Sequence, residues 1–188
     1  MKQSEPKAQK TLPLSQTWYL GVSALAVIFM FAFVILPYVD PKKQSGAIAG
    51  ELAQDFDLEL LSGGAAGDRI RLSDLRGKPV ILDFWASWCK PCREQATVLE
   101  AAYSKLQGRV HVLGVSTSDQ RNDAVAYLEQ AKPSYSNAFD ADGLVGRAYQ
   151  VAELPTLIIV DAKGQIRGRY NHIANAQQVI DIVDKLED

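Results

Sequence analysis

Cys89 and Cys92 are the only cysteines in this 188-residue chain, and they follow closely on the run Val80-Ile-Leu-Asp-Phe-Trp85. A short apolar run bounded by a turn reads as a buried strand, and Asp83 is its one charged residue. Past Cys92 and the polar run Arg93-Glu94-Gln95 the period changes. Ala96, Val98, Leu99 and Ala102 recur at helical spacing. The stretch from Val80 to Cys92 is therefore a strand that ends in a Cys-Lys-Pro-Cys turn at the first turn of a helix.

That placement has chemical consequences. The thiolate, not the thiol, attacks a disulfide, and free Cys titrates near about 8.5. At a helix N-terminus the free backbone N–H groups and the positive end of the dipole favour negative charge, so the Cys89 thiol is expected to ionise more easily. Cys92, three residues on, can close a ring with it. Cys89 is the candidate nucleophile and Cys92 the candidate resolving thiol. Pro91 suits a first-turn position where its missing N–H is no loss. Lys90 adds a solvated positive charge of modest effect. Asp83, a carboxylate inside an apolar strand, should have its pKa raised by burial, and can relay the proton that Cys92 must lose. The blander alternative for Asp83 is a strand-end residue capping a turn.

The cysteine pair has two other readings, a static disulfide or half of a metal site. A zinc site needs about four ligands. The only histidines, His111 and His172, are distant in sequence, and His111 lies in the strand-like run Val110-His-Val-Leu113. No metal is expected.

Charge divides the chain. Residues 1–50 carry five lysines and two acids, whereas residues 51–188 carry fifteen basic and twenty acidic side chains. No basic run or basic–aromatic patch points to nucleic acid. Residues 1–17 form a polar tail. Trp18 to Leu36 gives 19 residues without a charge, flanked by Trp18, Tyr19 and Tyr38. That length spans a hydrocarbon core, and the aromatic residues suit its interfaces. We assign 18–37 as a single transmembrane anchor and 38–50, with Pro41, Gly46 and Gly50, as a linker. A signal peptide cleaved after Ala47-Ile48-Ala49 is the alternative, but the apolar region is longer than the usual signal core. Three lysines before the span and two after it place the N-terminus inside and residues 51–188 outside the cytoplasm. That compartment can be oxidising.

Within 51–188, alternation of Phe56, Leu58 and Leu60 predicts a strand. Ser62 to Asp68 predicts a turn, and Ile70 and Leu72 a second strand, together a hairpin. Leu72 to Gly77 connects to the central strand at 79–85. The helix after the cysteines is expected to reach about Leu106. Strand Val110–Val115, helix 120–131 ended by Pro133, a short helix over 142–149, strand 157–160, turn Asp161–Gly164, strand 165–170 and an amphipathic helix 175–186 complete the order. Such an order gives a mixed sheet flanked by helices, an α/β fold.

Asp83-Phe-Trp-Ala-Ser-Trp-Cys-Lys-Pro-Cys92, followed some sixty residues later by Leu154-Pro155-Thr156, resembles the thioredoxin fold. The hairpin and Leu72-Ser-Asp-Leu-Arg-Gly-Lys78 are similar to the membrane-anchored TlpA/ResA-like branch, which consists of extracytoplasmic thiol–disulfide oxidoreductases. The resemblance covers about 51–188. It implies a cis Pro155 opposite the cysteines, a Leu154 backbone that pairs with substrate, and Trp88 as a further substrate-facing residue. Three positions depart from the branch's usual pattern. Asp83 stands where Asn is frequent, Gln95 where Glu is usual, and Thr97 where Pro is usual. Leu-Pro-Thr also differs from the Gly-x-Pro-Glu of CcmG-type proteins.

The expected activity is thus an anchored dithiol reductase in the cytoplasmic (inner) membrane that acts on disulfides of exported proteins, apocytochrome c being one candidate. No G-x-G-x-x-G is present, so no nucleotide or flavin cofactor is expected. Electrons would come from a membrane carrier resembling the DsbD/CcdA type. A disulfide-introducing oxidase or isomerase is the alternative direction. A copper- or peptide-binding module is the alternative class, although Met1 and Met30, the only methionines, fall outside the domain.

Overall fold

β3 (Val80–Trp85) is buried at every position, as its apolar sequence requires, and the rest of the sheet is laid out on either side of it. In the computed structural model the described residues are Phe29, 50–106, 108–173 and 175–187. The tail, anchor and linker expected over 1–17, 18–37 and 38–50 lie outside them, save Phe29 and Gly50. Among the described residues no helix is long and apolar enough to cross a membrane.

In chain order the elements are β1 (Asp57–Ser62), β2 (Arg69–Arg71), a 3-10 turn (Leu72–Leu75), β3, α1 (Lys90–Leu106), β4 (His111–Thr117), α2 (Arg121–Ala131), β5 (Ser136–Asp140), α3 (Leu144–Ala148), β6 (Thr156–Val160), β7 (Ile166–Tyr170) and α4 (Ala176–Glu187). The sheet has seven strands in the order β2-β1-β5-β4-β3-β6-β7. β3–β4 and β4–β5 are parallel, and β1–β2, β1–β5, β3–β6 and β6–β7 are antiparallel. The mixed sheet flanked by helices is present, with the β1–β2 hairpin as its N-terminal extension.

Two details correct the sequence reading. Leu72 does not continue β2 but opens the 3-10 turn and buries its side chain. β5 is an unexpected strand. Its sequence Ser-Asn-Ala-Phe-Asp has little intrinsic strand preference, yet it pairs on both edges, with β1 and β4. Tertiary pairing supplies what local propensity does not.

Alternation along β3 divides the core. Val80, Leu82 and Phe84 face one side, with Leu113, Val115, Ile158, Val160 and Tyr149 of α3's C-cap. Ile81 faces the other, where Leu99, Ala102 and Leu106 of α1 and Val179 and Val183 of α4 cover it. α2 ends where Lys132 takes a left-handed conformation (φ 46°) before Pro133, which cannot prolong the helix. At the C-terminal end of β3 a smaller cluster gathers Trp85, Ala86, Cys89, Cys92, Ala124 and Leu128.

Candidate active site

Cys89 and Cys92 are joined by a disulfide with their Cα atoms 5.3 Å apart. Cys89 stands just before α1, and its Sγ accepts a hydrogen bond from the backbone N–H of Cys92 at 3.2 Å. The sulfur thus occupies the place of an N-cap acceptor, where helix N–H groups and dipole favour an anion. Lys90 and Pro91, at the start of the helix, are exposed. Both sulfur residues are only 3% exposed, whereas the adjacent Trp88 is 65% exposed.

The turn between β3 and α1 is fixed by contacts that sequence reading did not single out. The Asp119 carboxylate accepts from Ser87 N–H at 2.5 Å, from the Ser87 hydroxyl at 2.8 Å and from Ser116 at 3.3 Å. Ser118 adopts a left-handed conformation (φ 55°), and its carbonyl accepts from the indole N–H of Trp88 at 3.0 Å. Arg93 donates to Ser87 O at 3.1 Å and stacks its guanidinium 5.4 Å from the Tyr127 ring centre. The contacts from Ser118, Asp119 and Tyr127 are not legible locally, because they reach the turn from some thirty residues further along the chain.

The Leu154–Pro155 peptide is cis, and Pro155 is buried. Thr156 pairs with Phe84 across β3–β6, so Pro155 lies level with the C-terminal end of β3, next to the cysteine turn. Leu154 packs against the cluster that holds both cysteines. Trp88, Leu154, Val151, Glu153 and Arg147 line one surface groove of about 190 Å³.

Asp83 is 2% exposed on the α1–α2 side of the sheet, and its Oδ1 has no hydrogen-bond partner in the protein. Burial alone pushes its pKa up to about 7. A carboxyl that titrates near neutrality can both accept and release a proton under ordinary conditions. Asp83 and Cys92 line the same cavity. The structure therefore brings together Cys89, Cys92, Trp88, Leu154 and Pro155 at one edge, with Asp83 behind Cys92. Gln95 lies inside, fully buried, and its Oε1 accepts from Ile173 N–H at 2.9 Å, which ties α1 to the segment before α4. Thr97 is exposed, and its hydroxyl bonds Arg93 O. His111 opens β4 and His172 is exposed. Among the described residues no group of three or more His, Cys, Asp or Glu is placed to hold a metal.

Comparison with known proteins agrees with this geometry. The family model described as AhpC/TSA family matches residues 49–169. The thiol:disulfide interchange protein DsbE of Xylella fastidiosa (strain Temecula1) is 31% identical over 168 residues, which is 89% of this chain and 82% of that protein. The thiol-disulfide oxidoreductase ResA of Geobacillus kaustophilus is 31% identical over 148 residues, 77% of this chain and 82% of its own. Among solved structures, the thioredoxin domain of a thiol-disulfide oxidoreductase from Bacteroides vulgatus matches with a TM-score of 0.64 and 25% identity, covering 72% of this chain and 98% of that one. The chain belongs to the AhpC/TSA family, as a thioredoxin-fold thiol–disulfide oxidoreductase of the ResA/DsbE type.

Proposed function

We propose that this enzyme is a membrane-anchored reductase of disulfides in exported proteins, with its catalytic domain on the extracytoplasmic side. The observation that carries the reading is the Cys89–Cys92 pair at the N-terminus of α1 with the buried Asp83 carboxyl sharing a cavity with Cys92. In the reducing direction the Cys89 thiolate attacks a client disulfide and forms a mixed disulfide. Asp83 takes the proton of Cys92, and Cys92 then displaces the client sulfur from Cys89. Trp88, Leu154 and Pro155 form the surface that receives the client chain. Lys90 and Pro91 support the helix start. The chemistry needs no cofactor beyond the cysteine pair, so electrons return through a protein donor resembling the DsbD/CcdA type. The uncharged run 18–36 supports the anchor. The names of the relatives, DsbE and ResA, support disulfide exchange and leave apocytochrome c as one candidate client.

Replacing Cys92 by Ser removes the resolving thiol. Clients should then accumulate on Cys89 as mixed disulfides visible on non-reducing gels. A Cys92→Ser chain that captures nothing in envelope extracts would end the exchange mechanism. Direction is set by the reduction potential. A value near about −270 mV marks a reductant, and one near about −120 mV turns the protein into a disulfide donor.

A further inference from the structure

The groove beside the cysteine turn carries two exposed charges of opposite sign, Arg147 and Glu153, and Trp88 and Leu154 share its lining. The two are engaged differently. The Glu153 carboxylate accepts a hydrogen bond from the Asn171 amide. The Arg147 guanidinium has no such partner. Among the described residues every other arginine side chain has one, whether a carboxylate, a carbonyl or an aromatic ring. Residues 51–188 carry twenty acidic and fifteen basic side chains, so a cation left unpaired there is not explained by a shortage of acids.

The isolation of Arg147 is built into the local fold. The two acids that precede it serve the start of α3 instead. Asp140 accepts from the Thr117 hydroxyl at 2.8 Å and from the N–H groups of Val145 at 3.1 Å and Gly146 at 2.8 Å. Asp142 accepts from Leu144 N–H at 3.1 Å. The guanidinium lies over Gly143, where a Cβ would be 3.1 Å from Arg147 Nη1 and 4.0 Å from Thr117 Oγ1. Gly143 has a φ of 66°, so glycine serves both the left-handed backbone and the close approach. Thr117, Gly143 and Arg147 all line the groove, which makes the guanidinium part of its wall. Lys90 and Arg93, the other cations near the cysteine turn, do not line it, and Arg93 is held by Ser87 O and the Tyr127 ring.

We infer that Arg147 is a specificity-determining residue of the client groove, and that it selects exported chains with an Asp or Glu within about three residues of the target cysteine. The inference rests on the reading of this groove as the surface that receives the client. An extended chain advances about 3.3 Å per residue, so such a side chain falls within about 10 Å of the cysteine. A guanidinium presents a planar fork of donors that matches a carboxylate with two parallel hydrogen bonds. The bound client displaces water from the groove, which strengthens the pair. Arg147 takes no part in the transfer of electrons. It sets which client the Cys89 thiolate meets and holds.

The test uses the reduced full-length chain in detergent and short peptides. Each peptide carries one cysteine as its disulfide with thiopyridine, whose release reports attack by Cys89. Glu, Gln or Lys is placed in turn at each position within three residues of the cysteine, and the opposite charge at the far end keeps the net charge constant. At the position that meets Arg147 the rates should run Glu above Gln above Lys, with about tenfold between the extremes at about 0.01 M salt. The spread should shrink to about twofold at about 1 M, where the screening length is only about 3 Å. Arg147→Gln should level the three rates, Arg147→Glu should reverse their order, and Arg147→Lys should keep the order with a smaller spread. Glu153→Gln should keep the parental order, which separates the arginine from the other charge of the groove. Because each variant is read as a ratio between peptides, a change in cysteine reactivity cancels. Equal rates at every position in the parent, or an Arg147→Glu chain that keeps the parental order, would overturn the inference and leave the groove as the client surface. A parent that reacts with every peptide no faster than free glutathione does would end the reductase reading, and the inference with it.

Discussion

The two faces of β3 bury different things. On one, Val80, Leu82 and Phe84 meet mainly apolar neighbours, and the polar groups beside them are satisfied: the Tyr149 hydroxyl donates to Gln54 O at 2.7 Å, and the hydroxyl of Thr156, the register partner of Phe84, donates to Glu153 O at 2.7 Å. On the other, Ile81 alone is apolar throughout. Asp83 and Trp85 each bury a polar atom that no protein group satisfies. An unmade buried hydrogen bond costs about 1–3 kcal/mol. The first face is organised for stability alone. The second gives up stability next to Cys92, where a titratable carboxyl has chemical use. One strand thus separates scaffold from chemistry by the two-residue alternation of its side chains.

The contrast is broken most directly on the apolar face. Phe84 is fully buried, with its ring 5.6 Å from that of Tyr149. Phe84→Ala should cost about 3–5 kcal/mol in urea unfolding. The rate of disulfide exchange per folded molecule should stay close to that of the parent. A variant that keeps its stability, or one that stays folded and loses exchange, would show that the two faces are not separate in function.

Asp83 sharpens the comparison from the other side. Its folded pKa of about 7 lies above the unfolded value of 3.8. The folded state therefore holds the proton more tightly, and stability is fully present below about pH 4. It falls as pH rises through 7 and is flat above that. A shift of that size corresponds to about 4 kcal/mol. Asp83→Asn cannot ionise, so its urea midpoint should lack this decline between pH 4 and 8. Parallel pH profiles for parent and variant would mean that the carboxyl does not titrate while buried.

How much of this could be read from the chain depends on the range over which each feature is encoded. β3, β4 and β6 are largely apolar runs, and α1 shows its period within a dozen residues, so local reading finds them. The cysteine pair and Asp83 stand out because their chemistry is unusual in such a setting. β5 is invisible, since Ser136 to Asp140 becomes a strand only through its pairing with β1 and β4. Gly114 is equally silent. In Val-Leu-Gly-Val it reads as a weak point of a strand, and its meaning comes from a register that no local pattern specifies, with the carboxamide oxygen of Asn137 filling the place of a side chain. The cysteine turn was legible as a motif, but its fastening to Ser118 and Asp119 was not.

That fastening gives the smallest effect and the finest division between the faces. Asp119 belongs to neither core, yet its carboxylate holds Ser87 by backbone and side chain and also accepts from Gln120 N–H at 2.8 Å. The site is partly exposed, so water replaces much of what is lost, and Asp119→Ala should cost about 1–2 kcal/mol. Its kinetic signature should be selective. Loosening Ser87 disturbs the placement of Trp88 and Cys89 but not that of Asp83, which is fixed within β3. With Ellman's reagent the first thionitrobenzoate release, which reports Cys89 attack, should slow by a few fold, and Trp88 emission should change. The second release, which reports Cys92 resolution, should keep its rate. Asp119→Asn retains an acceptor for Ser87 and should fall between the two. Equal slowing of both phases would mean that the turn and Asp83 move as one unit, and that the boundary between scaffold and chemistry does not run through β3.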